Sequence, residues 1–373
     1  MSIPRALHPG AWWVWALGLA VAASRTTNPL LLVLLLAVAG LVVATRRGDA
    51  PWALAFRMYL LLAAVIVAMR VGFRILVGGG AGDHILIILP ELPLPEAAAG
   101  IRLLGPVTAE QILSGFYDGL RLATMLVCVG AANALANPKR LLKAMPGALS
   151  EISTAVVVAL STAPQLVDSA LRVRRARRLR GGRDRGLRAV HRIAVPVLVD
   201  TLDRSLRLAA AMESRGYGRT AGVSRRTRAV NGALMLVGLL GVCVGSYGLL
   251  DATAPPLLGA PMLTAGVLVA VLGLGLGGRR IRRSVYRPDR WRAAELAVAG
   301  CGIVAAIALH VPIVLSFTDL HPPVTPLTWP TLPPLAAVGV LVAALPAVLA
   351  PPAPVTMPTA SATPVRVPKE THR

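Results

Sequence analysis

Long apolar runs constrain this chain more than any other feature. In hydrocarbon every backbone polar group must be satisfied within its own segment, and a run of ~17–25 apolar residues does so as an α-helix. Candidate spans fall at about 11–24, 30–45, 51–75, 118–136, 229–250, 262–278, 293–316 and 334–350. The first, AWWVWALGLAVAAS, is short and leans on Trp12, Trp13 and Trp15 as interfacial anchors. It follows Arg5 and ends in small residues, as a secretory leader would. TTNPLLLVLLLAVAGLVV follows at once, however, and pairs with it as a tight hairpin turned at Asn28-Pro29, with the proline opening the second helix. That favours a retained span. At 55% hydrophobic residues and a mean hydropathy of +0.67, the chain reads as an all-α, polytopic integral membrane protein with about eight transmembrane helices.

The formal charge of +22 is clustered, so it reports orientation more than a nucleic-acid partner. Two further apolar patches, AVVVALSTAPQLV and IAVPVLVDTL, lie between 137 and 228, and both are interrupted by proline and bordered by acids. Loop charge decides whether they cross. NPKRLLK carries Lys139, Arg140 and Lys143, and residues 172–228 hold 17 arginines against 4 acids. A span at 155–170 would put these two basic segments on opposite sides, against the positive-inside rule. With neither patch crossing, the N-terminus, Arg46-Arg47, residues 137–228, the cluster RRIRRSVYRPDRWR and the C-terminus all face the cytoplasm. Segments 76–117, 251–261 and 317–333, poor in basic residues, face outward.

The expected organisation is four N-terminal spans in 1–136, a cytoplasmic helical module in 137–228, four spans in 229–350 and a disordered cytoplasmic tail at 351–373, in a cell (inner or cytoplasmic) membrane. The outer segment holds Pro90, Pro93 and Pro95, which forbid a long helix, so an extended loop and a short amphipathic helix in GPVTAEQILSGFYDGL are expected.

Several chemistries are disfavoured. Cys128, Cys243 and Cys301 lie far apart in apolar runs and read as packing residues. The histidines are scattered, no HExxH or other metal-ligand spacing occurs, and no cofactor is implied. The only lysines are Lys139, Lys143 and Lys369, none within GxxxxGK[ST], so an ATP-driven role needs an ATPase on another chain. Nucleic-acid binding is disfavoured because the basic stretch lacks stacking aromatics.

The 137–228 module repeats itself. LVDSALRVRRARRLRGG and LVDTLDRSLRLAAAMESRGYG both show apolar residues at helical spacing with arginine on the other faces, and both contain Ala-x-x-x-Arg-Gly: Ala176 to Arg180-Gly181, and Ala211 to Arg215-Gly216, with Met212 inside the second. Each glycine suits the left-handed position that closes a helix, with its arginine in the last turn, where the dipole favours a cation. The alanine lies one turn below on the same face, leaving a notch beside a guanidinium able to pair with a carboxylate. A basic amphipathic helix also rests on anionic lipid, at about 1 kcal/mol per Lys or Arg near the surface. The repetition on successive helices favours a partner with two similar grooves.

ARRLRG, AMESRGYG, the intervening HRIAVPVLVDTLDRSLRLA and the preceding NPKRLLKAMP resemble the transmembrane T component (CbiQ- and EcfT-like) of energy-coupling factor transporters, over roughly residues 25–250. The resemblance implies an ATP-driven importer of a vitamin or a cobalt or nickel ion, in which this chain hydrolyses nothing. Two cytoplasmic coupling helices would dock in grooves of two ABC ATPase subunits, with Ala176, Arg180, Gly181, Ala211, Met212, Arg215 and Gly216 as docking residues. The motion would pass to a substrate-binding S component. Leu179 and Ser214 stand where the family usually has alanine, and the spans beyond residue 250 lie outside the resemblance. The alternatives are a lipid-binding scaffold or a self-contained secondary transporter.

Overall fold

A computed structural model describes residues 5–48, 55–78, 82–90, 102–145, 149–180, 187–217, 225–250, 255–279, 289–310 and 320–352. The helices, in chain order, are α1 (Pro9–Ser24), α2 (Pro29–Arg46), α3 (Phe56–Leu76), α4 (Ala109–Leu135), α5 (Pro138–Lys143), α6 (Ser150–Leu179), α7 (Leu187–Ser214), α8 (Arg225–Leu250), α9 (Ala260–Arg279), α10 (Ala293–Ala308), α11 (Pro334–Val342) and α12 (Pro346–Leu349). Between α3 and α4, two short antiparallel ribbons pair β1 (Val77–Gly78) with β3 (Arg102–Leu103) and β2 (Ile85–Ile88) with β4 (Pro106–Thr108). The fold is the expected all-α, polytopic membrane architecture. The expected tail beyond 352, Pro93, Pro95, Gly181 and positions 280–288 of the arginine cluster lie outside the described residues.

Among the described residues, α2, α3, α4, α6 from Ile152, α8 over Ala229–Leu249 and α9 over Ala260–Gly277 are long and apolar enough to cross a membrane; α10 and Pro334–Leu349 are shorter apolar stretches. α6 thus meets the length and composition of a span, although loop charge argues for keeping its apolar patch on the cytoplasmic side.

The chain folds into two compact units, one of Met1–Leu141 with Asp289–Arg373, the other of Leu142–Pro288. In the first, α1 packs against α4 and α10, α2 against α4 and α11, and α3 along α4. The α1–α2 turn is locally encoded: Asn28 caps α2 by accepting from the Leu30 N–H at 3.0 Å, and Pro29 opens the helix. The turn is then tied to the C-terminal part of the same unit. Thr26 Oγ1 donates to the Leu320 carbonyl at 2.7 Å and Asn28 Nδ2 to that of Thr331 at 2.7 Å. Trp15, Leu19, Leu31, Leu35, Val127, Val298 and Val340 are fully buried between these helices. Gly18 and Gly302 let α1 and α10 approach until a Cβ on either would overlap the other's backbone.

The stretch 334–350, expected as one span, breaks after Val342 because Pro346 lacks an N–H and its ring would clash with the preceding turn. Ala347 N–H turns to Ala344, and the Ala343 carbonyl instead accepts the Trp15 indole N–H at 3.0 Å. Arg46, in the last turn of α2, donates to the Ala347 carbonyl at 2.6 and 3.0 Å and to that of Val348 at 3.1 Å, satisfying carbonyls that end α12. At the start of α10, buried Glu295 pairs with Arg5 and accepts from the Arg292 N–H at 3.1 Å. Asp289 accepts from Arg140 at 2.7 and 3.1 Å. The C-terminal helices α10, α11 and α12 are therefore stitched into the N-terminal ones.

The expected short amphipathic helix and the span at 118–136 prove to be one helix. A capping box between Thr108 and Gln111 starts α4 at Ala109, and its 27 residues run on to Leu135. The outer segment closes onto this start: His84 Nδ1 lies 2.7 Å from Glu110 Oε1, and that hydrogen bond, followed by the carboxylate's charge, raises the His84 pKa above its ordinary value.

In the second unit α6 packs on α7 and α8 on α9. Gly238, Gly241 and Gly245 face Ala270, Gly266 and Leu263, so α8 and α9 meet almost backbone to backbone; a Cβ on Gly241 would stand 2.8 Å from the Gly266 Cα.

Candidate functional site

Both repeats are helix ends. α6 stops at Leu179, and Arg180 follows as its C-cap at φ −87°, ψ 14°, donating its backbone N–H to the Ala176 carbonyl at 3.2 Å. Arg177 and Arg178 occupy the last turn, where cations complement the helix dipole. Ala176 and Arg180 are exposed, and Leu179 is 90% exposed. Gly181 is not among the described residues.

The end of α7 is more fully defined. Gly216 has φ 77°, the left-handed region that glycine enters without steric cost. The Tyr217 N–H bonds the Met212 carbonyl at 3.0 Å and the Gly216 N–H bonds that of Glu213 at 2.9 Å. This pair of bonds is the Schellman closure, and it satisfies two carbonyls at the helix end. Arg215 is thereby held as the final residue before the chain reverses, exposed alongside Ala211 and Gly216, while Met212 is half-buried. Ser214 Oγ donates back to the Ala211 carbonyl at 3.0 Å and is occupied within its own helix.

A cross-brace between the two helices was not foreseen from sequence. Ser169 of α6, buried, donates to Asp200 Oδ2 of α7 at 2.7 Å; Arg204 lies 3.1 Å and Arg172 3.7 Å from the same oxygen. The Ser169 hydrogen bond first, then Arg204 and Arg172, lower the Asp200 pKa. A sequence signal existed: Ser169 directly follows the first Leu-Val-Asp run, and Asp200 ends the second. The repeat marks the brace as well as the tips. Arg207 pairs with Asp203 one turn along α7 at 2.7 Å.

Val195, Leu198, Val199, Leu202 and Leu206 form an exposed apolar stripe on α7 at helical spacing, with arginines on other faces. Such a face is covered by a bilayer surface or a partner when the protein is assembled. Among the described residues no group of three or more His, Cys, Asp or Glu is arranged to hold a metal.

A family described as cobalt transport protein, CbiQ, matches residues 2–226, a stretch that takes in both helix tips and ends as α8 begins. Over 80 residues the chain is 38% identical to the energy-coupling factor transporter transmembrane protein EcfT of Lactobacillus helveticus (strain DPC 4571). That alignment covers 20% of this chain and 29% of the relative. With more than half its length matched and its apolar helices folded as described, the chain belongs to the CbiQ family of cobalt transport proteins, a family of transporter membrane components and not of catalysts.

Proposed function

We propose that the chain is the membrane-embedded coupling subunit of an energy-coupling factor importer, working with two ABC ATPase subunits and a substrate-binding S component. One observation carries this reading: two braced helices end in exposed Ala-x-x-x-Arg tips, and the second is stopped by a left-handed glycine. Arg180 and Arg215 each enter an ATPase groove and pair there with a carboxylate, for which the planar guanidinium is suited. Ala176 and Ala211 leave room for the groove wall, Met212 supports the second tip, and Gly181 and Gly216 turn the chain away. ATP closure draws the grooves together, and the Asp200 brace makes α6 and α7 move as a pair. The exposed stripe on α7 passes that motion to the S component and the bilayer surface. The cargo is a micronutrient, a vitamin or a cobalt or nickel ion, recognised by the S component. The module 137–228 and both termini lie on the cytoplasmic side of the cell membrane, where the ATPases are.

Co-expression with an ATPase pair and an S component tests this. The wild-type chain co-purifies with both ATPases; Arg180→Glu and Arg215→Glu each insert normally but weaken the complex by about 3–5 kcal/mol, the cost of breaking one desolvated ion pair. The double variant loses uptake. Normal transport by the double variant overturns the docking assignment, and a chain that always purifies alone favours a lipid-binding scaffold.

A further inference from the structure

α1, α3 and α4 line an open groove of ≈ 960 Å³, with Leu17 and Val21 of α1, Met69 and Phe73 of α3, and Leu126 and Val129 of α4 along its walls. Its walls are apolar except at Ser24 and Arg70. Of the arginines beside it on α3 and α4, Arg74 lies 3.5 Å from Asp118 and Arg121 donates to the Ser24 carbonyl. Arg70 has neither a hydrogen bond nor an ion pair among the described residues, and its side chain is exposed on a helix fit to cross a membrane.

An uncompensated guanidinium on a membrane helix demands an anion or water. Gly119 of α4 lets the Arg70 stem lie close, so that a Cβ on Gly119 would sit 3.2 Å from the Arg70 Cβ. This seats the stem at the groove. Arg70 lies six residues before Leu76 at the end of α3, about 9 Å along the axis, within reach of headgroups for a snorkelling side chain.

We propose that this groove binds one anionic phospholipid from the bilayer, an acyl chain running between α1, α3 and α4 and the phosphate resting on Arg70. The complementarity selects the ligand class: an apolar groove whose lining holds one charged residue, the unpaired Arg70, fits an apolar tail carrying a single anionic group. Guanidinium and phosphodiester form short charge-assisted hydrogen bonds, strengthened where water is scarce. The site is formed by residues 17–24, 66–73 and 122–129 and does not depend on the helix tips or their partners.

The test uses the full chain, delipidated in mild detergent and titrated with phosphatidylglycerol under native mass spectrometry. One lipid is retained by the wild type. Retention falls about tenfold in Arg70→Gln, the loss of one hydrogen bond to a charged group, and similarly in Val21→Trp, which fills the groove. Arg57→Gln, in the first turn of the same helix, retains it. A photoactivatable phosphatidylglycerol labels wild-type peptides of α1, α3 and α4, a readout independent of whether the variants fold. Labelling confined to other helices overturns the proposal. So does diacylglycerol, which lacks the phosphate, binding as well as phosphatidylglycerol, or an S component excluding the lipid and crosslinking to Val21 and Phe73 in its place.

Discussion

The unit built from both ends of the chain buries Trp15, Leu19, Leu31, Leu32, Leu35, Val127 and Val298 completely, and every hydrophobic side chain of the core cluster belongs to it. In the unit of Leu142–Pro288 the buried described positions are glycines of α8 and α9 together with Gly259, Ser153 and Ser169, and the large apolar side chains described are exposed or half-buried. The first unit carries its own interior. The second holds together where backbones touch and where a serine meets an aspartate, leaving its apolar faces for something else to cover. A membrane supplies that cover for α8 and α9; for α6 and α7, which also carry the charged tips, the proposed function assigns it to a protein partner. The difference teaches where stability resides and where motion is cheap, since segments with few buried contacts open most readily.

The contrast is broken most severely at Trp15. Trp15→Ala removes a fully buried indole and its bond to Ala343, and should cost up to about 3–5 kcal/mol in reversible unfolding from micelles or bicelles. A negligible effect would mean the first unit has no specific core. Gly216→Ala forces a side chain into the left-handed region and should cost about 1–2 kcal/mol locally, seen as faster hydrogen exchange at the amides of Gly216 and Tyr217 with the rest of the fold unchanged.

The brace gives a pH dependence. Because Asp200 titrates lower in the folded chain, its contribution is complete above the ordinary carboxylate range of about 4 and is lost as pH falls through the depressed folded value. Distances between spin labels on α6 and α7 should widen on that descent, and Asp200→Asn should blunt the change; identical titrations would remove Asp200 from the brace. Least of all, Leu198→Ala on the exposed stripe should alter the stability of the isolated chain by no more than about 0.5 kcal/mol, while lowering uptake in the assembled transporter.

What was legible in the sequence was local. Asn28-Pro29 announces the α1–α2 turn through a cap and a fixed φ, and Arg215-Gly216 announces the end of α7 because few residues other than glycine tolerate φ 77°. The start of α4 was hidden by composition: Glu110, Asp118 and Arg121 dilute the apolar window, so the span reads from 118 although the Thr108–Gln111 box begins the helix at 109. Pro346 was visible, but its effect, releasing the Ala343 carbonyl to Trp15, depends on residues 328 apart in sequence. The meeting of Gly18 with Gly302 is equally non-local, and glycine within an apolar run does not say which helix it will touch. At the candidate site, the closure of α7 could be read from a six-residue window, whereas the Ser169–Asp200 bond needed the two helices side by side.

The Trp15–Ala343 bond also bears on biogenesis. Ribosomes add ~5–20 residues per second, so α1 leaves the translocation machinery tens of seconds before its partners in α10 and α11 exist. Throughout that interval the Trp15 and Gly18 face must be sheltered by lipid or by an insertion factor. Shortening the chain after the family-matched segment would make the exposure permanent, because α10 and α11 would never arrive to cover the Trp15 and Gly18 face.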